Sequence, residues 1–264
     1  MQGTAARFIT IVLLIAISIA TLSDQVLAYE NKTHNWSYKP APQHTPSGTE
    51  PYYVELLEQS DGYYIGHPNQ KTLYLTFDNG YENGYTEKVL DVLKEKEVPA
   101  AFFVTGHYLH SAADYVKRMV EEGHIVGNHS FHHPSLPAKD DAGLEEELTK
   151  VEERYTQITG GPYMRYLRPP RGEFSERTLM KSKELGYTNV FWSLAYVDWE
   201  VDKQKGGDYA YEKVMRRIHP GAIILMHSVS PDNAEALAKI IDECEKLGYT
   251  FRSLDELGLS QPLF

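Results

Sequence analysis

From Lys71 onward the chain repeats one pattern. A run of apolar, β-branched and aromatic residues gives way to a polar loop. A stretch with apolar residues three and four apart follows, and then often glycine and the next apolar run. Short apolar runs between turn residues predict buried strands, and the 3.6-residue spacing predicts helices packed on one face. The predicted strands are "TLYLTF", "AAFFVT", "HIVGNH", "MRYLRP", "NVFWSL", "AIILMH" and "TFRSL". The predicted helices include "YTEKVLDVLKEKE", "ADYVKRMVEEG", "LEEELTKVEERYTQI", "ERTLMKSKELG", "YAYEKVMRRI" and "NAEALAKIIDECEKLG". Gly123, Gly186, Gly221 and Gly248 stand where a helix stops and a strand begins, the place of a left-handed cap. Such alternation means parallel strands joined by crossover helices, in an open doubly wound sheet or a closed barrel. No glycine-rich phosphate loop follows the first strand, which weighs against nucleotide binding.

Residues 1–28 break the pattern. Arg7, the run "FITIVLLIAISIAT" and "VLA" at Val26–Ala28 follow the positive, apolar, small-residue order of a secretory signal. Export across the cytoplasmic membrane is therefore expected; an uncleaved anchor is the alternative, although the run is short for a span. Residues 29–65, rich in Pro, Tyr, Ser and Asn, read as a linker and a short packed lead-in, and residues 66–264 as the catalytic-sized domain. The 264 residues, 42% apolar and 24% charged, suit one soluble α/β domain. A formal charge of -11 argues against a nucleic-acid partner, which needs a positive face. The single cysteine, Cys244, excludes an internal disulfide and falls on a helical stripe with Leu237, Ile240, Ile241 and Leu247, as a buried thiol would. The run Glu145-Glu146-Glu147 reads as a solvated helix face.

The polar residues that end the strands carry the chemistry. Asp78 ends the first strand in "TFDNG", His129 the third in "HSFHHP", Arg168 the fourth in "RPPRG" and His227 the sixth in "ILMHS"; Asp198-Trp199 lies in the loop after the fifth. Taken singly, each has a plain reading: a turn, a polar loop, a stiffened proline corner or a satisfied core histidine. In a parallel barrel, however, these ends converge on one face, where catalysis sits. His129 and His133, four apart, can share a borderline-soft divalent cation such as zinc, with His132 the spare. Asp78 is a candidate general base for a polarised water. Arg168 would keep that carboxylate ionised, and His227 suits proton donation to a leaving amine.

These motifs, in this order and spacing, resemble the polysaccharide deacetylases of carbohydrate esterase family 4, over roughly residues 66 to 256. The resemblance implies a distorted α/β barrel of about seven parallel strands. It also implies removal of acetyl groups from N-acetylated sugars, with a metal held by Asp-His-His. Carried over, Asp78 is the base, Arg168 its partner, His227 the acid, and His129 and His133 ligands of a divalent cation, most simply zinc. The backbone N–H of Arg171 matches the oxyanion donor, Trp199 an aromatic wall, and Asp198 beside it is expected to face the substrate.

Two departures narrow the reading. The second residue of the family's "TFDDG" is Asn79 here, a poorer ligand for a dication than a carboxylate. Many relatives have an aspartate at the position of Ala195 that tunes the catalytic histidine. Without it, His227 is expected to lose its proton at lower pH unless Asp198 or Asp255 stands in. Both changes, with the longer "TFDNGYENGYT", resemble the muramic-acid deacetylases of spore-forming bacilli. The implied substrate is N-acetylmuramic acid in peptidoglycan glycan strands, and the implied product leads to the δ-lactam of the spore cortex. The Arg171 side chain is expected to hold the lactyl carboxylate, the alternative being an ion pair with Glu173. The rival readings are a chitin-oligomer or xylan deacetylase and a glycan-binding barrel that has lost its metal.

Overall fold

The structure, a computed structural model, describes residues 29–161 and 163–257. The expected signal at 1–28 lies outside the described residues. In chain order the elements are β1 (His34–Asn35), α1 (Pro51–Gln59), β2 (Thr72–Asn79), α2 (Thr86–Glu95), β3 (Ala100–Val104), α3 (Gly106–Ser111), α4 (Ala113–Glu121) and β4 (Ile125–Asn128). There follow α5 (Asp141–Thr159), β5 (Tyr166–Leu167), β6 (Glu173–Phe174), α6 (Glu176–Glu184), β7 (Thr188–Asn189), α7 (Gly207–Met215), β8 (Ile223–His227), α8 (Pro231–Lys246) and β9 (Thr250–Phe251). Among the described residues, no helix is long and apolar enough to cross a membrane.

Seven strands form one parallel sheet in the order β7-β5-β4-β3-β2-β8, with β9 also on β2. The sheet curls into a half-barrel. Both faces of β2 are buried, as parallel strands with helices outside require. Leu73, Leu75 and Phe77 pack in the main core with residues of α2 and α8, such as Leu93 and Ile240. Tyr74, on the alternate face, packs with Ala101, Phe103, Tyr166 and Ile223 inside the curl. Asp78 falls on this inner face by the same period of two.

The gap between β7 and β8 is filled by the lead-in. Tyr63 pairs with Val190 and Ile65 with Ala222, while Leu194 bridges to Ile224. Gly221, in the left-handed region at φ 77, lets the chain enter β8 against Gly66, whose carbonyl oxygen a Cβ would meet at 2.8 Å. The expected strand "NVFWSL" is thus split between two partners and stays regular only at β7, and "MRYLRP" shortens to β5 because Pro169 and Pro170 have no N–H to donate. The stretch from Tyr29, expected to begin as a linker, is instead packed. β1 pairs antiparallel with β6, and Trp36 lies against Phe174 and Phe191 in a separate core with Leu56 and Leu57 of α1. Cys244 is fully buried, and burial pushes its thiol up to about 12.

Candidate active site

Strand register assembles the site. Asp78 pairs with His227 across β2 and β8, so two strand-end residues stand side by side. Asn128 pairs with Leu167 across β4 and β5, so His129 and Arg168 both follow one residue beyond their strands. All four meet at the carboxyl edge of the half-barrel, above the inner face.

Asp78 is the electrostatic centre. Burial opposes its charge, but the Arg168 guanidinium, with His129 and His227 nearby, holds its carboxyl below the usual aspartate range. Arg168 Nη1 donates to Asp78 Oδ1 at 2.8 Å. Its Nε donates to Val190 O at 3.0 Å, and its guanidinium lies over the Phe103 ring at 4.2 Å. Arg168 has no solvent exposure, so its orientation is fixed by packing and by the pair. It supports Asp78 from below.

The histidine loop folds back on itself. Ser130 and His133 are both in the left-handed region, at φ 63 and 57. Asn128 Oδ1 accepts from Ser130 N at 2.8 Å and Ser130 Oγ from His133 N at 3.0 Å, which stabilises these rare conformations. The rings of His129 and His133 come to 4.8 Å, edge to face. Burial keeps both neutral, His133 at about 4 and His129 below its ordinary value. His129 Nδ1–H donates to the Arg168 carbonyl at 2.7 Å, which leaves the Nε2 lone pair facing Asp78 Oδ2 at 3.5 Å.

Two lone pairs facing each other, and two imidazoles held neutral, are what a cation site offers. Asn79 is buried, with its Nδ2 donating to Ser228 Oγ at 2.6 Å and its Oδ1 without a hydrogen-bond partner. Among the described residues no group of three or more His, Cys, Asp or Glu is arranged around a metal position. The neutral donors that could hold a cation here are His129 and His133.

Asp198 requires a correction. Expected to face the substrate, it is 2% exposed and belongs to His227 instead. Its Oδ1 accepts from His227 Nδ1 at 2.7 Å and its Oδ2 from His227 N at 2.8 Å. Burial opposes the imidazolium, but Asp198 by charge and hydrogen bond outweighs it and raises the pKa of His227. The exception allowed for His227 is therefore the one met: Asp198 stands in as its carboxylate partner. Asp255 does not: it accepts from Tyr166 Oη at 2.8 Å and lies near Arg165.

Asp198 sits on a loop without regular structure, so side chains must hold it. Asn233 Nδ2 donates to Asp198 Oδ2 at 2.5 Å, and Tyr196 Oη donates to Asn233 Oδ1 at 2.5 Å. Tyr38 reaches in from the packed N-terminal stretch. Its hydroxyl donates to Ala195 O at 2.8 Å and accepts from Ala195 N at 2.9 Å, with Arg217 Nη1 at 3.3 Å from it. None of Tyr38, Tyr196 or Asn233 gave a sequence signal, because each works through an atom brought close only by the fold.

The remaining candidates line or edge the cleft, which has a volume of about 820 Å³. Trp199 is half exposed on one wall, its ring 5.4 Å from that of His227. Arg171 is left-handed at φ 60, and Gly172 follows at φ 67, wedged where a Cβ would meet Trp192 at 3.0 Å and Trp36 at 3.1 Å. The Arg171 side chain is exposed at the rim; its Nη2 is 3.5 Å from His133 O, a long contact. Glu147, expected on a solvated face, is buried: Oε2 accepts from His132 N and Oε1 from His132 Nδ1, each at 2.8 Å. His132 thereby braces the loop.

Residues 65–190 match the sequence model described as polysaccharide deacetylase. The chain is 50% identical over 242 residues to the peptidoglycan-N-acetylmuramic acid deacetylase PdaA of Bacillus subtilis, covering 92% of each chain. The solved structure of that protein, a family 4 carbohydrate esterase, superposes with a TM-score of 0.85 at 51% identity, covering 87% of this chain and 98% of the other. A family 4 carbohydrate esterase from Bacillus anthracis superposes with a TM-score of 0.76, also at 51% identity, covering 89% and 100%.

Proposed function

Because the chain belongs to the polysaccharide deacetylases, carbohydrate esterase family 4, we propose that it hydrolyses the N-acetyl group of N-acetylmuramic acid in peptidoglycan. The observation that carries the substrate is the 50% identity along 92% of both chains to a deacetylase of that sugar. We also place it in export and in spore-cortex formation, where the freed amine leads to the muramic δ-lactam; the apolar order of residues 1–28 supports the former.

The geometry supports the following chemistry. Asp78, kept ionised by Arg168, takes a proton from a water as the water oxygen attacks the acetamide carbonyl. The carbonyl π pair moves to oxygen, toward the Arg171 backbone N–H. His227, charged through Asp198, then gives a proton to the amide nitrogen. The C–N bond breaks, acetate leaves, and the amine remains on the sugar. Trp199 forms a wall for the sugar ring. A divalent cation on His129 and His133, zinc by the softness of the imidazole donors, would polarise the carbonyl and the water when bound. A base and an acid set at opposite charges in one cleft have no purpose in a binding module, which disfavours that rival.

The test is acetate release by the purified protein from peptidoglycan and from chitin oligomers. Faster release from peptidoglycan supports the reading, and release from chitin oligomers alone rejects it.

A further inference from the structure

The catalytic groups are not the whole lining of the cleft. Phe131, His107 and His110 of α3, and Arg154 of α5 line it as well. Gly106 allows this wall to form, since a Cβ there would meet the Phe131 ring at 2.4 Å.

We propose that this part of the cleft is an anion subsite, in which Arg154 holds a carboxylate carried by the glycan strand. The inference rests on the peptidoglycan reading and adds a specificity residue to it.

The charge distribution carries the argument. The protein has a formal charge of -11, yet among the described residues lining the cleft the one carboxylate is that of Asp78, already paired with Arg168. Arg118, Arg165, Arg168, Arg177 and Arg252 each lie beside a carboxylate, whereas Arg171, Arg216 and Arg217 lie beside none among the described residues and do not line this cleft. Arg154 lines the cleft and has no carboxylate beside it either. Its one hydrogen bond runs from Nη1 to the neutral amide oxygen of Gln157 at 3.3 Å. The acids near it on α5 are committed, Glu147 to His132 and Glu146 to Lys150. A guanidinium left without a counter-ion in an acidic protein, beside two exposed histidines, is complementary to an anion.

The chemistry of the ligand follows. Chitin oligomers are neutral and offer Arg154 nothing to pair with. A peptidoglycan strand offers carboxylates from two sources: the lactyl ether of a peptide-free muramic acid, or the terminal and side-chain carboxylates of a stem peptide. The guanidinium recognises either in the same way, by parallel N–H donation.

Binding to the Asp78→Asn protein, in which turnover should be about a hundredfold or more slower, separates these sources. The probes are a peptide-free peptidoglycan tetrasaccharide, the same tetrasaccharide with stem peptides, and chitotetraose. The expected result is tighter binding of at least one peptidoglycan probe than of chitotetraose, with that ratio falling about tenfold when Arg154→Gln is added. Arg154→Lys should retain part of the preference, and Arg154→Glu should reverse it. A loss confined to the peptide-free probe assigns the lactyl carboxylate, and one confined to the peptide-bearing probe assigns the stem peptide. Equal binding of all three probes, or a ratio unchanged by Arg154→Gln, overturns the subsite. Failure of the peptidoglycan reading would show separately, as absent acetate release from peptidoglycan by the wild-type protein.

Discussion

Asp198 grips His227 twice, with Oδ1 on the ring Nδ1–H at 2.7 Å and Oδ2 on the backbone N–H at 2.8 Å. With Nδ1–H on Asp198, Nε2 is the ring nitrogen left for the cleft, and it carries a proton in the imidazolium. The carboxylate reaches His227 from the loop that also carries Ala195.

The pH profile should show this. His227 acts while protonated, and Asp198 raises its pKa above the ordinary 6.5, so the alkaline limb of kcat should fall only above that value. Asp78 acts while ionised and its pKa is lowered below 3.8, so the acid limb should lie below that. In Asp198→Asn burial opposes the imidazolium with only the Asp78 charge left to favour it, and the alkaline limb should move to lower pH, with kcat down about a hundredfold or more. Ala195→Asp should leave the alkaline limb where it is. A limb moved upward by that substitution would show that Asp198 does not complete the tuning.

Asp78→Asn keeps an acceptor for Arg168 but loses the base, so acetate release should fall about a hundredfold or more while the protein stays folded. Arg168→Met should be worse for stability, because it leaves a buried carboxylate unpaired. The loss expected in urea unfolding is about 3–5 kcal/mol. Retention of activity within a few-fold in Asp78→Asn would remove Asp78 from the role.

Metal binding should reflect Asn79. Two neutral imidazoles without a carboxylate hold a dication less firmly, so chelator should strip the metal readily, and Asn79→Asp should tighten it. Elemental analysis during chelator titration is the measurement. Full activity in protein free of metal would refute the cation site.

Tyr38 offers a check on the N-terminal stretch. Tyr38→Phe removes a hydroxyl bonded to both backbone groups of Ala195, and should lower kcat about three- to tenfold through the loop that carries Asp198. KM should change little, since Tyr38 does not line the cleft. A rise in KM with kcat intact would place the effect in substrate binding.

Much of this was legible in the sequence because it depends on short periods. The alternation from Lys71 gave the parallel strands, and the strand-end residues Asp78, His129, Arg168 and His227 follow from where apolar runs stop. The role of Asp198 was legible only as one of two possibilities, beside Asp255. "VDW" gives no direction to its side chain, and only the bridge of Leu194 to Ile224 brings that loop against the end of β8. Glu147 failed for a related reason: a run of three glutamates looks uniformly solvated, yet one of them turns under the histidine loop. α3 is six residues long, too short for helical periodicity to show, and it carries His107 and His110.

The most direct measurement is mass spectrometry of muropeptides after the purified protein has acted on peptidoglycan, with and without stem peptides. Loss of acetyl from muramic acid residues, accompanied by released acetate and absent in the Asp78→Asn protein, is the expected result. Loss of acetyl from glucosamine residues alone, or no loss from either sugar, would contradict the assignment.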